Sequence, residues 1–204
     1  YYKKCGDLPS TKKYCLQAIN ANQSQGALFL AKYYKEIANF KKMDKYYRKA
    51  IDMEDPSAAI FLGSYYLDID EILLAKEYFD IAIKMGCSSG ALYLGDYYNK
   101  IGEVKLMKKY YGVAISMGES NAAVSLGLWY HDNKIFEAMI KYYNIAINMG
   151  NELGATKLGY WYYNNNEIEL MKKYYDIAVN MGSDSGAINL GNWYSCTKEI
   201  DLMI

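Results

Sequence analysis

One phrase returns six times in this chain at a constant step of thirty-two residues. Its clearest copy runs Gly90-Ala91-Leu92-Tyr93-Leu94-Gly95-Asp96-Tyr97-Tyr98, then Leu106-Met107-Lys108-Lys109-Tyr110-Tyr111, and closes on Ala114-Ile115-Ser116-Met117-Gly118. A fixed period of this length excludes an ordinary globule. Each unit is one supersecondary element that cannot bury its apolar face alone, so units stack on their neighbours and form an extended array. Such an array presents one long surface, which suits holding a partner better than transforming a substrate.

Read by column, the period separates small positions from large ones. Ala27, Ala59, Ala91, Ala123, Ala155 and Ala187 form one column, and Ala31, Gly63, Gly95, Gly127, Gly159 and Gly191 stand four places on. Residues four apart share a helical face. Glycine inside a helix costs about 1 kcal/mol against alanine, so close packing must compensate it. A second small column, Ala18, Ala50, Ala82, Ala114, Ala146 and Ala178, lies in the other helix of the unit, and the two strips are expected to meet. Leu30, Leu62, Leu94, Leu126, Leu158 and Leu190, with Tyr34, Tyr66, Tyr98, Tyr130, Tyr162 and Tyr194, supply large residues to the first helix. Met107, Tyr110, Tyr111, Ala114 and Ile115 mark one broad apolar face on the second. Recurrence at identical repeat positions assigns these residues to the core.

Met-Gly pairs at 85–86, 117–118, 149–150 and 181–182 end the second helices, because glycine takes the left-handed C-cap without a steric cost. Ser57, Ser88 or Ser89, Asn121, and Asp184 or Ser185 are expected to cap the first helices that follow. Linkers of three or four residues, as at Lys100-Ile101-Gly102, make each unit an antiparallel helix pair. The predicted helices are 11–21, 24–36, 40–53, 57–68, 71–85, 88–99, 103–117, 121–131, 135–149, 153–163, 167–181 and 185–196. No segment alternates with a strand's period of two.

Composition bounds the function. At 52% apolar the chain can bury a continuous core, and its 23 basic and 23 acidic residues cancel, so no net charge draws it to nucleic acid or an acidic membrane. No apolar run approaches a membrane span. Cys5, Cys15, Cys87 and Cys196 occupy four different repeat positions and form no Cys-x-x-Cys pair, which points to free thiols in a reducing compartment. His131 is the single histidine, and neighbouring repeats place Asn99 or Tyr163 at its position. Asp132 adjoins it, and adjacent helical residues are not expected to face each other. There is no nucleophile motif, phosphate loop or His-Glu metal pair, so no catalytic, cofactor-binding or metal-ligating set is expected. The Asn22-Gln23-Ser24 sequon matters only in a secretory compartment. Tyr1-Tyr2 aligns one period before Tyr33-Tyr34, and Leu202-Met203-Ile204 aligns with Leu170-Met171-Lys172. The chain is therefore expected to be a single array over 1–204, about six repeats, cut mid-repeat at both ends. Apolar surface at those ends would fray residues 1–10 and 197–204 or join chains end to end.

The run Ala91, Leu94, Gly95, Tyr98, then Tyr111, Ala114 and Gly118, resembles the Sel1-like repeat, a relative of the tetratricopeptide repeat. The resemblance covers the whole chain in a shortened thirty-two-residue form. The family's Gly-x-Gly-Val stretch between the helices is missing, with Gly102-Glu103-Val104 as a faint echo. The resemblance implies an all-α solenoid, a right-handed superhelix whose first helices line a concave surface, in proteins that act as adaptors and scaffolds.

If the first helices line a groove, the columns where the period fails are the ones free to carry specificity. One reads Phe29, Phe61, Tyr93, Ser125, Lys157, Asn189; another Lys32, Ser64, Asp96, Leu128, Tyr160, Asn192; a third Glu36, Asp68, Lys100, Asp132, Asn164, Cys196. The expected site comprises Phe29, Lys32, Phe61, Ser64, Tyr93, Asp96, Leu128, Lys157 and Tyr160, with Phe29, Phe61 and Tyr93 as an aromatic ladder for a peptide or protein. The alternative is a structural spacer or assembly element, in which these columns drift on a solvated face. Lysines 41, 42, 45, 108, 109, 172 and 173 lie on second helices among acidic residues and read as a mixed solvated face, so nucleic acid is not expected as a partner.

Overall fold

In the computed structural model, residues 8–197 are described. Among them are twelve α-helices and no strand: α1 (Leu8–Asn20), α2 (Ser24–Glu36), α3 (Phe40–Ile51), α4 (Pro56–Asp68), α5 (Ile72–Lys84), α6 (Ser88–Lys100), α7 (Val104–Ser116), α8 (Ser120–Asp132), α9 (Phe136–Asn148), α10 (Glu152–Asn164), α11 (Ile168–Asn180) and α12 (Asp184–Thr197). Even-numbered helices are the first of each pair, odd-numbered ones the second. The fold is all-α, a solenoid of antiparallel helix pairs. The chain divides into two compact units, Tyr1–Leu94 and Gly95–Ile204, with the boundary inside α6. Every helix expected from the sequence is present, with ends displaced by at most three residues. The expected fraying at the two ends concerns segments that lie largely outside the described residues.

Each helix from α1 to α11 stops on one residue with positive φ. After the second helices these are Asn22, Glu54, Gly86, Gly118, Gly150 and Gly182; after the first they are Ala38, Asp70, Gly102, Lys134 and Asn166. Both series keep the thirty-two-residue step. At Gly86 the Cys87 N–H reaches back to the Ala82 carbonyl at 2.9 Å and the Gly86 N–H to Ile83 at 2.9 Å. These paired bonds satisfy carbonyls that the helix end leaves open.

Within the units the Gly strip meets rings on the second helix, a partner the period does not reveal. The Gly column faces an aromatic ring sixteen residues ahead: a Cβ at Gly63 would lie 2.7 Å from the Phe79 ring, at Gly127 2.5 Å from Tyr143, and at Gly159 2.5 Å from Tyr175. The Ala column of the second helix instead packs against the position just before the Ala27 column. A Cβ at Gly26 would lie 2.9 Å from Ala18, and one at Gly154 would lie 3.1 Å from Ala146. The small residues thus serve two crossings, ring on backbone within a pair and methyl on backbone between successive pairs. Tyr47, Tyr111 and Tyr143, seated beside those small positions, are almost fully buried.

A second aromatic layer repeats at the pair's other edge. Tyr34 stacks on Tyr46 and Tyr66 on Tyr78 in the first unit; Tyr98 stacks on Tyr110, Tyr130 on Tyr142 and Tyr162 on Tyr174 in the second. Centroids lie 5.3 to 5.5 Å apart with planes within 12° of parallel, the offset geometry that ring quadrupoles favour.

The caps also differ from expectation. Asp55, not Ser57, caps α4, its Oδ1 accepting the Ser57 N–H at 3.0 Å. Asn151 caps α10 through the Leu153 N–H at 3.0 Å, and Ser183 accepts the Gly186 N–H at 3.2 Å at the start of α12. The capping column lies two places before Ser57 and two before Asn121, because the chain needs an extended residue there before helical φ and ψ begin. The same side chains link successive pairs. Ser24 donates to Asp55 at 2.7 Å, Asn151 donates to Ser120 at 3.1 Å, and Thr156 meets Ser183 at 3.0 Å.

Candidate partner-binding groove

Five of the nine expected site residues lie in the first unit. Phe29 is half-buried and lines a small apolar recess with Thr11, Tyr14, Cys15 and Ala18. Phe61 is 36% exposed and Tyr93 39%. Neither ring is free. Phe61 stacks on the buried Tyr47 at 5.7 Å and receives the Lys32 ammonium 4.5 Å from its centroid; Tyr93 stacks on Phe79 at 5.3 Å. The expected ladder therefore consists of rings whose inner contacts are already made by the second helix. Ser64 is half-buried beside Gly63 in α4.

The other four lie in the second unit. Asp96 accepts the Tyr111 hydroxyl at 2.6 Å. Burial raises its carboxyl pKa, and the bond from Tyr111 acts in the opposite sense. The same environment pushes the Tyr111 hydroxyl well up. Asp96 thus serves the ring beside Gly95 rather than standing free. Leu128 is exposed and Lys157 half-buried.

Tyr160 is the most exposed aromatic of the set, at 56%, and it opens onto a cavity of about 220 Å³. The cavity lies between first helices α10 and α12. Tyr160 and Tyr163 come from α10, Asn189, Asn192, Trp193 and Cys196 from α12, and the Tyr175 ring of α11 sits beneath. All three variable columns converge here: Asn189 from the first, Tyr160 and Asn192 from the second, Cys196 from the third. Three kinds of surface meet in it: aromatic faces, carboxamides that donate and accept, and a thiol. Burial raises the Tyr175 hydroxyl to about 12, so it is a neutral donor and acceptor at physiological pH. Sequence reading missed Tyr175, Tyr163 and Trp193. The fixed columns mark the first as core, and the period gives no reason to single out the other two. The change from Tyr97 to Trp129, Trp161 and Trp193 in one column is a signal for Trp193 alone.

Two further expectations need correction. Lysines 108 and 172 are not simply solvated. The Lys108 ammonium lies 4.3 Å from the Trp129 centroid and 4.7 Å from Tyr130, and Lys172 lies 4.3 Å from Trp193, so each cation covers the aromatic pair of the following repeat. His131 and Asp132 do touch, with Nδ1 and Oδ1 3.2 Å apart, because both are exposed side chains on the last turn of α8 and swing outward together. Cys15, Cys87 and Cys196 are free thiols, Cys15 with a pKa raised by burial; Cys5 lies outside the described residues. Among the described residues no cluster of metal-ligating side chains occurs, and no helix is long and apolar enough to cross a membrane.

The same architecture occurs in solved structures. A Sel1 repeat protein from Oxalobacter formigenes superimposes with a TM-score of 0.63 at 22% identity, over 96% of this chain and 90% of its own. The chain has the Sel1-like repeat fold. The c5321 protein, a protective antigen of uropathogenic Escherichia coli with an SLR fold, matches at TM-score 0.60 and 19% identity over 90% of this chain; the chain spans only 44% of that protein. The immunity protein Pa5087 of Pseudomonas aeruginosa matches at TM-score 0.54 and 18% identity, over 86% of this chain and 75% of its own. No family model matches the sequence, and no curated protein matches it.

Proposed function

We propose that the chain is a non-catalytic scaffold that holds a segment of a protein partner against its first helices. The observation that carries this reading is the cavity between α10 and α12, where residues from all three variable columns converge around Tyr160. Aromatic faces supply contact area at small cost in rotamer freedom, and the carboxamides of Asn189 and Asn192 match the donors and acceptors of a peptide backbone. Sel1-like architecture supports the reading, since stacked pairs leave one face of each first helix unspent on packing. In this reading Tyr160 is the anchor, and the exposed Leu128 adds apolar surface in the same unit.

The partner is captured on immobilised chain and then titrated by calorimetry. Tyr160→Ala weakens binding by about 2 kcal/mol, while Lys109→Ala, on an outer second helix, changes it little. Loss with Lys109→Ala and none with Tyr160→Ala would place the partner on the second helices instead. The spacer reading draws on a separate observation: Phe61 and Tyr93 spend their inner faces on Tyr47 and Phe79. Capture of no partner by a chain that remains folded would favour it.

A further inference from the structure

The zero net charge hides a division along the chain. Residues 1–51 carry eleven basic and three acidic side chains, and the remainder carries twelve and twenty. The excess concentrates on α3, where Lys41, Lys42, Lys45, Arg48 and Lys49 face a single acid, Asp44. Three of these cations form one stripe. Lys41, Lys45 and Lys49 are four residues apart, hence on one face at a rise of about 6 Å each. All three are exposed, and none pairs with a carboxylate among the described residues. Like charges at this spacing repel, so the stripe costs the isolated helix stability. Arg48, by contrast, is spent internally. It bonds Asp44 at 2.8 Å and lies 5.3 Å from the Tyr78 ring centroid.

The stripe borders a groove of about 950 Å³ between the second helices α1 and α3. Its apolar part is Leu16, 37% exposed, with Ile19 and Tyr46. We propose that this groove docks an acidic amphipathic helix of a protein partner, its apolar residues on Leu16 and Ile19 and its carboxylates along Lys41, Lys45 and Lys49. Carboxylates four residues apart on the incoming helix repeat at the same rise of about 6 Å, which matches the lysine stripe. The chemistry disfavours a nucleic-acid strand: Asp44 and Asp52 also line the groove, its one arginine is occupied, and the Tyr46 ring is stacked on Tyr34. The surface is separate from the first-helix groove, so failure here leaves the scaffold reading of that groove standing.

The probe is a fluorescein-labelled amphipathic helix of Leu, Ala and Glu with its glutamates four residues apart on one face, followed by anisotropy. Controls are the same composition scrambled, an oligothymidylate, and phosphatidylcholine vesicles containing phosphatidylserine. The ordered peptide binds, and added salt weakens it. The triple variant Lys41→Glu/Lys45→Glu/Lys49→Glu weakens it about tenfold or more, while Lys105→Glu/Lys109→Glu on α7 leaves it nearly unchanged. Leu16→Ser weakens it without altering the salt dependence. Circular dichroism checks that every variant stays helical. Several results would overturn the proposal: no binding, equal binding of the scrambled peptide, preference for the oligothymidylate or the vesicles, or an unchanged affinity of the triple variant. Sedimentation that shows the wild-type chain filling this groove with a second copy, lost on charge reversal, would also overturn it.

Discussion

Six non-glycine residues among those described hold a left-handed backbone: Asn22, Ala38, Glu54, Asp70, Lys134 and Asn166. Each occupies a turn position where another repeat has glycine, as Lys134 does for Gly102 and Glu54 for Gly86. The period thus dictates the turn even where the local residue opposes it, at a cost of about 1 kcal/mol for a side chain with a Cβ. Lys134 is exposed, so its replacement touches little else. Lys134→Gly should therefore raise stability by about 1 kcal/mol in urea melts, and an unchanged or lower midpoint would contradict the strain. These turns were legible only through register. Ala38 and Lys134 carry no turn signal of their own, whereas Gly86, Gly118, Gly150 and Gly182 announce theirs.

In four pairs the first helix is held to its second by a ring set against a missing side chain, at Gly63, Gly95, Gly127 and Gly159. Tyr143 lies where the Cβ of Gly127 would be, and Tyr175 does the same for Gly159. Alanine is accepted in this column once, at Ala31, which is fully buried in the pair containing Tyr47. The pair containing Ala31 accommodates a methyl group, whereas at Gly127 even a Cβ would lie 2.5 Å from the Tyr143 ring, so a larger group must force the crossing apart. Gly127→Leu should destabilise by about 3 kcal/mol or more, since neither helix can withdraw without uncovering Leu126 and Met139. An exposed glycine would instead gain helix propensity on substitution, so a raised urea midpoint would contradict this packing. The two small columns were plain in the sequence, but their partners were not. Periodicity fixes which residues share a face, and only the crossing geometry decides which face of the neighbour they meet. The same limit hid the lower half of the cavity, because Tyr175 repeats as faithfully as any core residue and declares no second role.

The molecule's tyrosines tie its stability to alkaline pH. Burial raises Tyr47, Tyr78 and Tyr175 from an ordinary value of 10 to about 12. Below pH 10 these groups are protonated in folded and unfolded chains alike, and their contribution is complete. Between 10 and 12 the unfolded chain releases protons that the folded one keeps, so stability falls as pH rises through that window. Urea midpoints should be level from neutral pH to about 9 and then drop steeply, with a shallower drop for Tyr47→Phe. A level profile to about pH 12 would show that the rings ionise freely in the folded state. At this scale the all-helical repeat fold was legible because every unit restates it. The site was legible only as a face, since the variable columns differ in how much of each side chain the packing consumes: Phe61 and Asp96 are engaged, and Tyr160 is open. The central claim is that the first-helix face between α10 and α12 holds the partner. Nuclear magnetic resonance on isotope-labelled chain tests it most directly, with the captured partner titrated in and the side-chain signals of Asn189, Asn192 and Trp193 followed. Partner binding in the cavity moves these signals first, in step with the backbone amides around Tyr160. Shifts confined to the outer faces of α7, α9 and α11, with these three side chains unmoved, would contradict the claim.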